Sequence, residues 1–318
     1  GRLGPGRDRL FAFDTSTGEL AWVSTPGTPP KDSSFSTPVR GIYKGREVLY
    51  VGTGCGHVVC VSAHDGRALW RFKLSHGGIN ASPLLLGEHV IGVHGKENID
   101  SSHLGRMVAI APKGAEGDGV NPSLLGKANE VWRADVVSFT SSPVHHDGVI
   151  YQVSAEGNLV AIEGEQGRVL WRHKLGRAQL HASPLMAEGV LYVPMQEGVL
   201  HVLRPTKEGP NPLSKVALDG QCIASPAAAG GMLFVHTTEA LYAFGQFGEV
   251  GPSQRETLEP PVAQAASALS VRPAEALVFP GESVPLRVRD VDGRGVALGP
   301  WRAIDPLEIP EDAHPSAG

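Results

Sequence analysis

The apolar positions of this chain fall in short runs of four to six residues, rich in β-branched and aromatic side chains and bounded by Gly, Asp and Asn. Such runs predict β-strands. One arrangement recurs, in which an apolar strand of the form L-x-A-x is followed by a turn containing Gly and by a strand that ends in Trp. Its copies run from Leu10 to Trp22, from Val58 to Trp70 and from Leu159 to Trp171, with a stretched copy from Val108 to Trp132. Repeats at a period of tens of residues are typical of solenoids, arrays and propellers.

A second marker keeps the same order along the chain. A Ser-Pro or Thr-Pro pair follows each Trp, and the Pro residues are spaced by 45, 60, 41 and 42 residues. The pairs are Thr37-Pro38, Ser82-Pro83, Ser142-Pro143, Ser183-Pro184 and Ser225-Pro226. About 40 residues for four short strands is the length of one propeller blade. Since Pro suits the first residue of a strand, we expect each pair to begin an innermost strand.

The unit at 184–218 shows the predicted pattern of four strands. These strands are expected at Leu185–Met186, Val190–Pro194, Val199–Leu203 and Leu213–Leu218. The fold class predicted for the whole repeat region is therefore an all-β propeller of four-stranded blades, with at least five blades visible. The last of them, 226–244, has three strands, and Leu10–Phe13 already reads as a third strand. We therefore expect an N-terminal truncation, with one or more blades missing upstream.

The repeat pattern stops after Phe244. Residues 245–267 lack periodicity and are rich in Gly, Pro, Glu and Gln, which predicts a linker. A new β pattern follows at 268–271, 276–279, 284–288 and 290–295. Residues 268–318 amount to roughly half of the ~100 residues in an immunoglobulin-type sandwich. We predict a propeller domain at 1–244 and a partial immunoglobulin-like β-sandwich at 268–318, with disorder from Asp305 onward.

Composition and charge narrow the possible partners. The chain has 40 Gly and 25 Pro in 318 residues without a collagen-like period, which suits a turn-rich all-β protein. Its net charge is -5 and it has no Lys/Arg run, so no nucleic-acid partner is expected. No apolar stretch approaches the ~18 residues of a transmembrane segment. Three Cys cannot all pair internally; Cys55 and Cys60 either bond across a turn or Cys60 packs as a small apolar residue.

The repeats resemble those of the pyrroloquinoline-quinone-like (PQQ-like) β-propellers. The tryptophan-docking motif of that family reads A-x-D-x-x-x-G-x-x-x-W. It is matched in full by Ala12, Asp14, Gly18 and Trp22, and with Glu for Asp by Ala161, Glu163, Gly167 and Trp171. The copy at Cys60, Ser62, Gly66 and Trp70 keeps only Gly and Trp. The resemblance covers roughly residues 7–244 and is specific for fold rather than for activity.

The family contains quinoprotein dehydrogenases and a non-enzymatic lipoprotein of outer-membrane assembly. The dehydrogenases use a vicinal Cys pair and a Ca²⁺ or lanthanide ion beside the quinone, whereas Cys55, Cys60 and Cys222 are not adjacent here. The resemblance therefore implies a non-catalytic, protein- or ligand-binding scaffold of an exported bacterial protein, periplasmic or on the cell surface, with no cofactor expected. The alternatives are a PQQ-dependent alcohol or sugar dehydrogenase with Ca²⁺, and a structural adhesion segment.

Polar residues just before the Ser-Pro pairs are the first candidate site. Repeat symmetry brings the positions three and five before each Pro to one mouth of the central channel. The candidates there are Asn80, Thr140, Gln179, His181 and Gln221. These side chains either bind a ligand or peptide at the channel mouth or hydrogen-bond to the ends of the inner strands. A partner at the blade edges, joined by strand addition, is a further expectation.

The loop at 96–103 is the second candidate site. Glu97, Asn98 and Asp100 offer the hard oxygen donors that Ca²⁺ prefers, although their spacing matches no calcium loop and a solvated surface loop has the same composition. The adjacent pair His145-His146 is expected in a turn. No nucleophile elbow, HExxH or phosphate-binding loop is present, so no catalytic residue is predicted.

The motif Trp residues are expected to dock each blade against the next. A buried Trp ring removes roughly 150–250 Å² from water. The predicted docking residues are Trp22, Trp70, Trp132 and Trp171. Ser214 occupies the Trp position of the 184–218 unit, so the interface after that blade is expected to be the weakest.

Overall fold

The computed structural model describes residues 8–115, 117, 121–245, 262–274, 281 and 283–304. These residues form 25 strands in seven sheets and one short 3-10 helix, Lys127–Asn129. Within these ranges no helix is long and apolar enough to cross a membrane. The fold is an all-β propeller, as the repeats predicted.

The described residues begin with a two-stranded sheet, the first hairpin, and continue with four-stranded sheets. The first hairpin consists of β1 (Leu10–Phe13) and β2 (Leu20–Ser24). Blade I consists of β3 (Val39–Tyr43), β4 (Arg46–Gly52), β5 (His57–Ser62) and β6 (Ala68–Lys73). Blade II consists of β7 (Leu84–Leu86), β8 (His89–Glu97), β9 (Leu104–Ile110) and β11 (Glu130–Ala134), with β10 (Ser123–Leu125) inserted before β11.

Two further four-stranded blades and two three-stranded sheets follow. Blade III consists of β12 (Val144–His146), β13 (Val149–Val153), β14 (Asn158–Glu163) and β15 (Val169–Lys174). Blade IV consists of β16 (Leu185–Ala187), β17 (Val190–Met195), β18 (Val199–Pro205) and β19 (Pro210–Ala217). Blade V consists of β20 (Ala227–Ala229), β21 (Met232–His236) and β22 (Leu241–Phe244). The C-terminal sheet consists of β23 (Ala266–Arg272), β24 (Leu286–Asp292) and β25 (Arg302–Ile304).

The first turn of several blades explains their tight antiparallel hairpins. Lys44-Gly45, Asp147-Gly148 and Glu188-Gly189 each have two successive positive φ angles. Two residues with φ > 0 form the type I′ turn, whose twist matches that of paired strands. In blades I, III and IV the innermost strand is therefore followed at once by the second strand. The innermost strand of blade III, β12, also contacts β7 and β16, the innermost strands of blades II and IV.

The hydrophobic core lies between successive blades. Val108 and Ile110 of β9 pack with blade I residues, whereas Met107 and Ala109 of the same strand pack with blade III. Adjacent residues of a strand point to opposite faces of the sheet, so a central blade buries both. The strands consequently read as continuous apolar runs, which is the pattern of a sheet covered on both sides.

The motif Trp rings contact the outer turn of the following sheet. Trp22 Nε1 donates to Ala63 O at 3.0 Å, Trp132 Nε1 to Gly164 O at 2.9 Å and Trp171 Nε1 to Thr206 O at 3.0 Å. Gly66 and Gly167, which have positive φ, lie directly against the rings of Trp22 and Trp132. A side chain at either position would collide with the ring, so Gly is required there both for φ and for space.

Trp70 differs from the other motif Trp residues. Its ring is fully buried beside Tyr43 and Tyr50, with centroid distances of 6.5 and 5.7 Å. In the described structure its Nε1 has no hydrogen-bond partner. In blade II, an inserted segment rather than a short turn joins β9 to β11. That segment crosses to blade I, where β10 pairs in parallel with β6.

The C-terminal sheet lies against the first hairpin. Arg272 donates to Asp14 at 2.9 Å, Arg287 pairs with Glu19, and β23 contacts β2. The predicted linker spans 245–267, whereas β23 already begins at Ala266. The predicted strand at 276–279 and the tail from Asp305 lie outside the described residues. The immunoglobulin-like sandwich stays a prediction.

Candidate functional site at the channel mouth

Each Ser of the Ser-Pro pairs forms a hydrogen bond to the preceding blade. Its hydroxyl oxygen accepts from the backbone N–H of the Ser or Thr that holds the same position one blade earlier. The bonds are Thr37 to Ser82 (2.9 Å), Ser82 to Ser142 (2.9 Å), Ser142 to Ser183 (2.8 Å) and Ser183 to Ser225 (2.8 Å). These four hydrogen bonds join the five blades at their inner strands. The recurring Ser-Pro pair is visible in the sequence, but it predicted only the start of a strand and not these hydrogen bonds between blades.

Asn80, Thr140 and Gln179 bond to the segments that lead into neighbouring blades. Asn80 Oδ1 accepts from Phe35 N–H at 3.2 Å, and Thr140 Oγ1 donates to Leu180 O at 2.7 Å. Their polar atoms are therefore engaged in holding adjacent blades together. This arrangement favours the second of the two expectations for these side chains, hydrogen bonding at the inner strand ends.

Gln179 is the most deeply integrated member of this group. It is fully buried. Its Nε2 donates to Pro194 O at 2.6 Å and, across the blade IV–V interface, to Cys222 O at 3.4 Å. Its Oε1 accepts from the backbone N–H groups of His181 and Ala182. A buried amide with donors and acceptors all satisfied fixes local backbone geometry rather than awaiting a ligand.

The remaining two candidate residues are exposed. His181 and Gln221 are accessible, and the corresponding positions in blades I and V carry Phe35, 71% exposed, and Ile223, 42% exposed. His181 Nδ1 lies 3.5 Å from Thr140 Oγ1. These equivalent positions therefore carry two exposed apolar side chains in addition to the polar ones that sequence reasoning selected, and their location at a channel mouth stays a prediction.

The loop at 96–103 is closed by its own interactions. Asp100 pairs with Arg106 at 2.6 Å and with Arg133 at 2.7 Å, and these guanidinium groups hold the pKa of its carboxyl below the usual range, at about 2. Asn98 is buried, and its Nδ2 donates to His103 O at 2.9 Å. Among the described residues no group of three or more His, Cys, Asp or Glu could hold a metal ion. The geometry favours a structural role for Asp100, and the Ca²⁺ site at Glu97, Asn98 and Asp100 stays a prediction.

The three thiols are all free and buried, so the pairing considered for Cys55 and Cys60 does not form. Cys60 belongs to the core between blades I and II, and burial raises its pKa. Cys55 lies 3.1 Å from His57 Nδ1. Burial opposes ionisation of Cys55, but hydrogen bonds from His57, Thr53 and Thr28 outweigh it and lower the pKa to about 6. Sequence reasoning missed this Cys-His pair, whose only signal was the C-x-H spacing.

The adjacent His145 and His146 lie at the end of β12, before the turn.

Comparison with known proteins agrees with the repeat geometry. The family model described as "Outer membrane protein assembly factor BamB" matches residues 6–108 and 125–209. Outer membrane protein assembly factor BamB of Yersinia pestis is 22% identical over 205 residues, which are 52% of this chain and 52% of that protein. The chain thus spans about half the length of this curated relative.

A solved structure supports the fold. The crystal structure of BamB from Moraxella catarrhalis aligns with a TM-score of 0.55 and 15% identity, over 75% of this chain and 67% of that one. The family model covers the first hairpin and most of blades I to IV, including the docking Trp residues and three of the four inner-strand serines, Ser82, Ser142 and Ser183. This chain therefore belongs to the PQQ-repeat propeller family represented by the outer membrane protein assembly factor BamB.

Proposed function

We propose that this chain is a non-catalytic, protein-binding propeller of an exported bacterial protein, acting in the periplasm or at the cell surface. Its partners are outer-membrane proteins or the proteins that assemble them. Membership of the BamB-type family supports this proposal. The partner is expected at the channel mouth, where Phe35, His181 and Ile223 are exposed.

The proposal rests on a difference between the candidate side chains: some are engaged in contacts within the chain, and others are exposed. Asn80, Thr140 and Gln179 engage their polar atoms in contacts between segments of the chain. The accessible side chains that remain include Phe35, more exposed than most large apolar residues of a folded domain. A fixed backbone that presents exposed apolar side chains is suited to binding a protein surface, because contact with a partner removes those side chains from water.

Site-specific photo-cross-linking tests the proposal. A benzophenone amino acid replaces Phe35 in one variant and Leu213, an exposed apolar residue of the outer strand β19, in the control. Both are expressed in the envelope of a Gram-negative bacterium. We expect adducts with outer-membrane or assembly proteins at position 35 and none at position 213. Equal adducts at both positions, or none at 35, would refute binding at the mouth.

A titration separates this function from quinone-dependent oxidation. The purified chain is mixed with pyrroloquinoline quinone and Ca²⁺ while Trp fluorescence is followed, and alcohol oxidation is then measured with a coupled dye. We expect neither saturable micromolar binding nor turnover. Both together would replace the scaffold with a dehydrogenase, and would direct attention to Asp100 and its loop.

A further inference from the structure

We propose that the outer edge of blade III, strand β15, binds an extended acidic segment of a partner protein by strand addition. This inference rests on the proposed function as a protein-binding scaffold and names one surface and one mode of binding. The precedent lies within the chain itself. Strand β10 adds in parallel to the outer edge of β6, with Ser123 opposite Trp70 and Leu125 opposite Phe72.

Strands β6 and β15 are close structural copies. Their sequences are ALWRFK and VLWRHK, and in both the Trp pairs with the equivalent position of the third strand. Lys73 Nζ donates to Cys55 O and Lys174 Nζ to Glu156 O, at 2.5 and 2.6 Å. The same backbone is therefore held in the same way in both blades. The outer strand that pairs with a fifth strand in blade I therefore has a counterpart in blade III.

The two edges differ in what covers them. In blade I, β10 lies on the edge and Phe72 is buried. In blade III, β15 ends the sheet, no strand among the described residues pairs with its outer side, and His173 at the position of Phe72 is exposed. An edge strand leaves a row of backbone N–H and C=O groups unpaired, which is a template for another strand. Strand addition supplies affinity through these groups.

The charges of the edge select the occupant. Arg172, His173 and Lys174 are consecutive and exposed, and β15 itself contains no carboxylate. A second copy of β15 would be repelled by like charge, whereas a strand carrying Asp or Glu would be attracted. The outer strand of blade IV provides the contrast, because β19 contains Pro210 and Pro212, which remove backbone donors from its edge.

The test uses the full chain and a blocked decapeptide of alternating Glu and Val, with a Lys-Val decapeptide as the matched probe. Binding is measured by fluorescence anisotropy, and amide exchange of the complex by mass spectrometry. We expect the acidic peptide to bind and to slow exchange within Val169–Lys174 but not within Pro210–Ala217. Equal binding of the Lys-Val peptide, or protection elsewhere only, would overturn the proposal.

Charge reversal supplies the second arm. The double variant R172E/K174E should bind the acidic peptide about tenfold more weakly, because reversal turns two attractive charge pairs at the exposed edge into repulsive ones. The control is K215E, at the position of Arg172 on the proline-containing edge. An unchanged affinity of the double variant, with an unchanged melting curve, would reject the edge. Cross-links at position 35 report the scaffold function separately, so each proposal can fail alone.

Discussion

The contact between the Trp132 ring and Gly167 is the clearest test of how blades II and III are joined. Trp132 is 7% exposed, and truncation of a buried aromatic residue to Ala costs about 3–5 kcal/mol. Gly167 has φ of +71°, and a Cβ added there would lie 2.4 Å from two ring carbons of Trp132. Gly167→Ala therefore carries about 1–2 kcal/mol of left-handed backbone strain and about 1–3 kcal/mol of overpacking.

The two substitutions should be strongly non-additive. Removal of the Trp132 ring removes the atoms with which the new Cβ collides, so only the backbone strain remains in the double variant. The loss of unfolding free energy in Trp132→Ala/Gly167→Ala should then be about 1–3 kcal/mol smaller than the sum of the two single losses. Gly148→Ala is the control, because Gly148 has φ of +74° with nothing within 4 Å of its Cβ position.

Urea unfolding followed by circular dichroism measures these free energies without relying on the fluorescence of the residue that is changed. Gly148→Ala should cost the same about 1–2 kcal/mol with or without Trp132. A coupling below about 0.5 kcal/mol between positions 132 and 167 would mean that the ring does not rest on the turn, and the account of blade docking would be wrong.

Three further predictions use the same chain. Gln179→Ala should lower the free energy of unfolding by about 1–3 kcal/mol, read from the urea midpoint, because it leaves buried backbone groups unpaired. The pKa of Cys55 in the folded chain is about 6, below the ordinary value of 9. Its ionisation should therefore add stability as the pH rises from 6 to 9, and this contribution should be lost as the pH falls through 6. Absorbance at 240 nm should show the ionisation of the thiol, and a step that persists in Cys55→Ser would contradict this assignment. Asp14→Asn should speed amide exchange in Ala266–Arg272, since Asp14 holds Arg272; unchanged exchange would show that this ion pair does not hold the sheet.

Strand positions were predictable because they depend on local pattern. In blade IV the expected strands Val190–Pro194 and Val199–Leu203 correspond to Val190–Met195 and Val199–Pro205. Short apolar runs and Gly-containing turns are recognised within a few residues of chain. Within blade III, two residues of the docking motif, Ala161 and Trp171, stand opposite each other on adjacent strands.

Contacts between distant segments were not predictable. The Arg272–Asp14 ion pair joins residues 258 positions apart, and nothing near either residue indicates the other. The same holds for the crossing of β10 to blade I, which depends on where a long insertion finds an open strand edge. Repeat symmetry assigned Asn80 and Thr140 to equivalent positions before their Pro residues. It gave no means of deciding between ligand binding and bonds to neighbouring segments, because that choice depends on distances of a few tenths of an ångström.

The interface after blade IV shows how the contacts of this propeller are distributed. Ser214 stands opposite Val202, where a Trp would be, and it is exposed, so the outer Trp-to-turn contact is missing. Near the axis the contacts continue, because Ser183 N–H still donates to Ser225 at 2.8 Å and Gln179 still reaches Cys222 O. At this interface the inner contacts are therefore present without the outer Trp contact. A substitution at the exposed Ser214 affects only the outer part of this interface. Gln179 is buried at the inner part, where its side-chain amide donates a hydrogen bond to Cys222 O. We accordingly expect Gln179→Ala to destabilise the chain more than any substitution at Ser214.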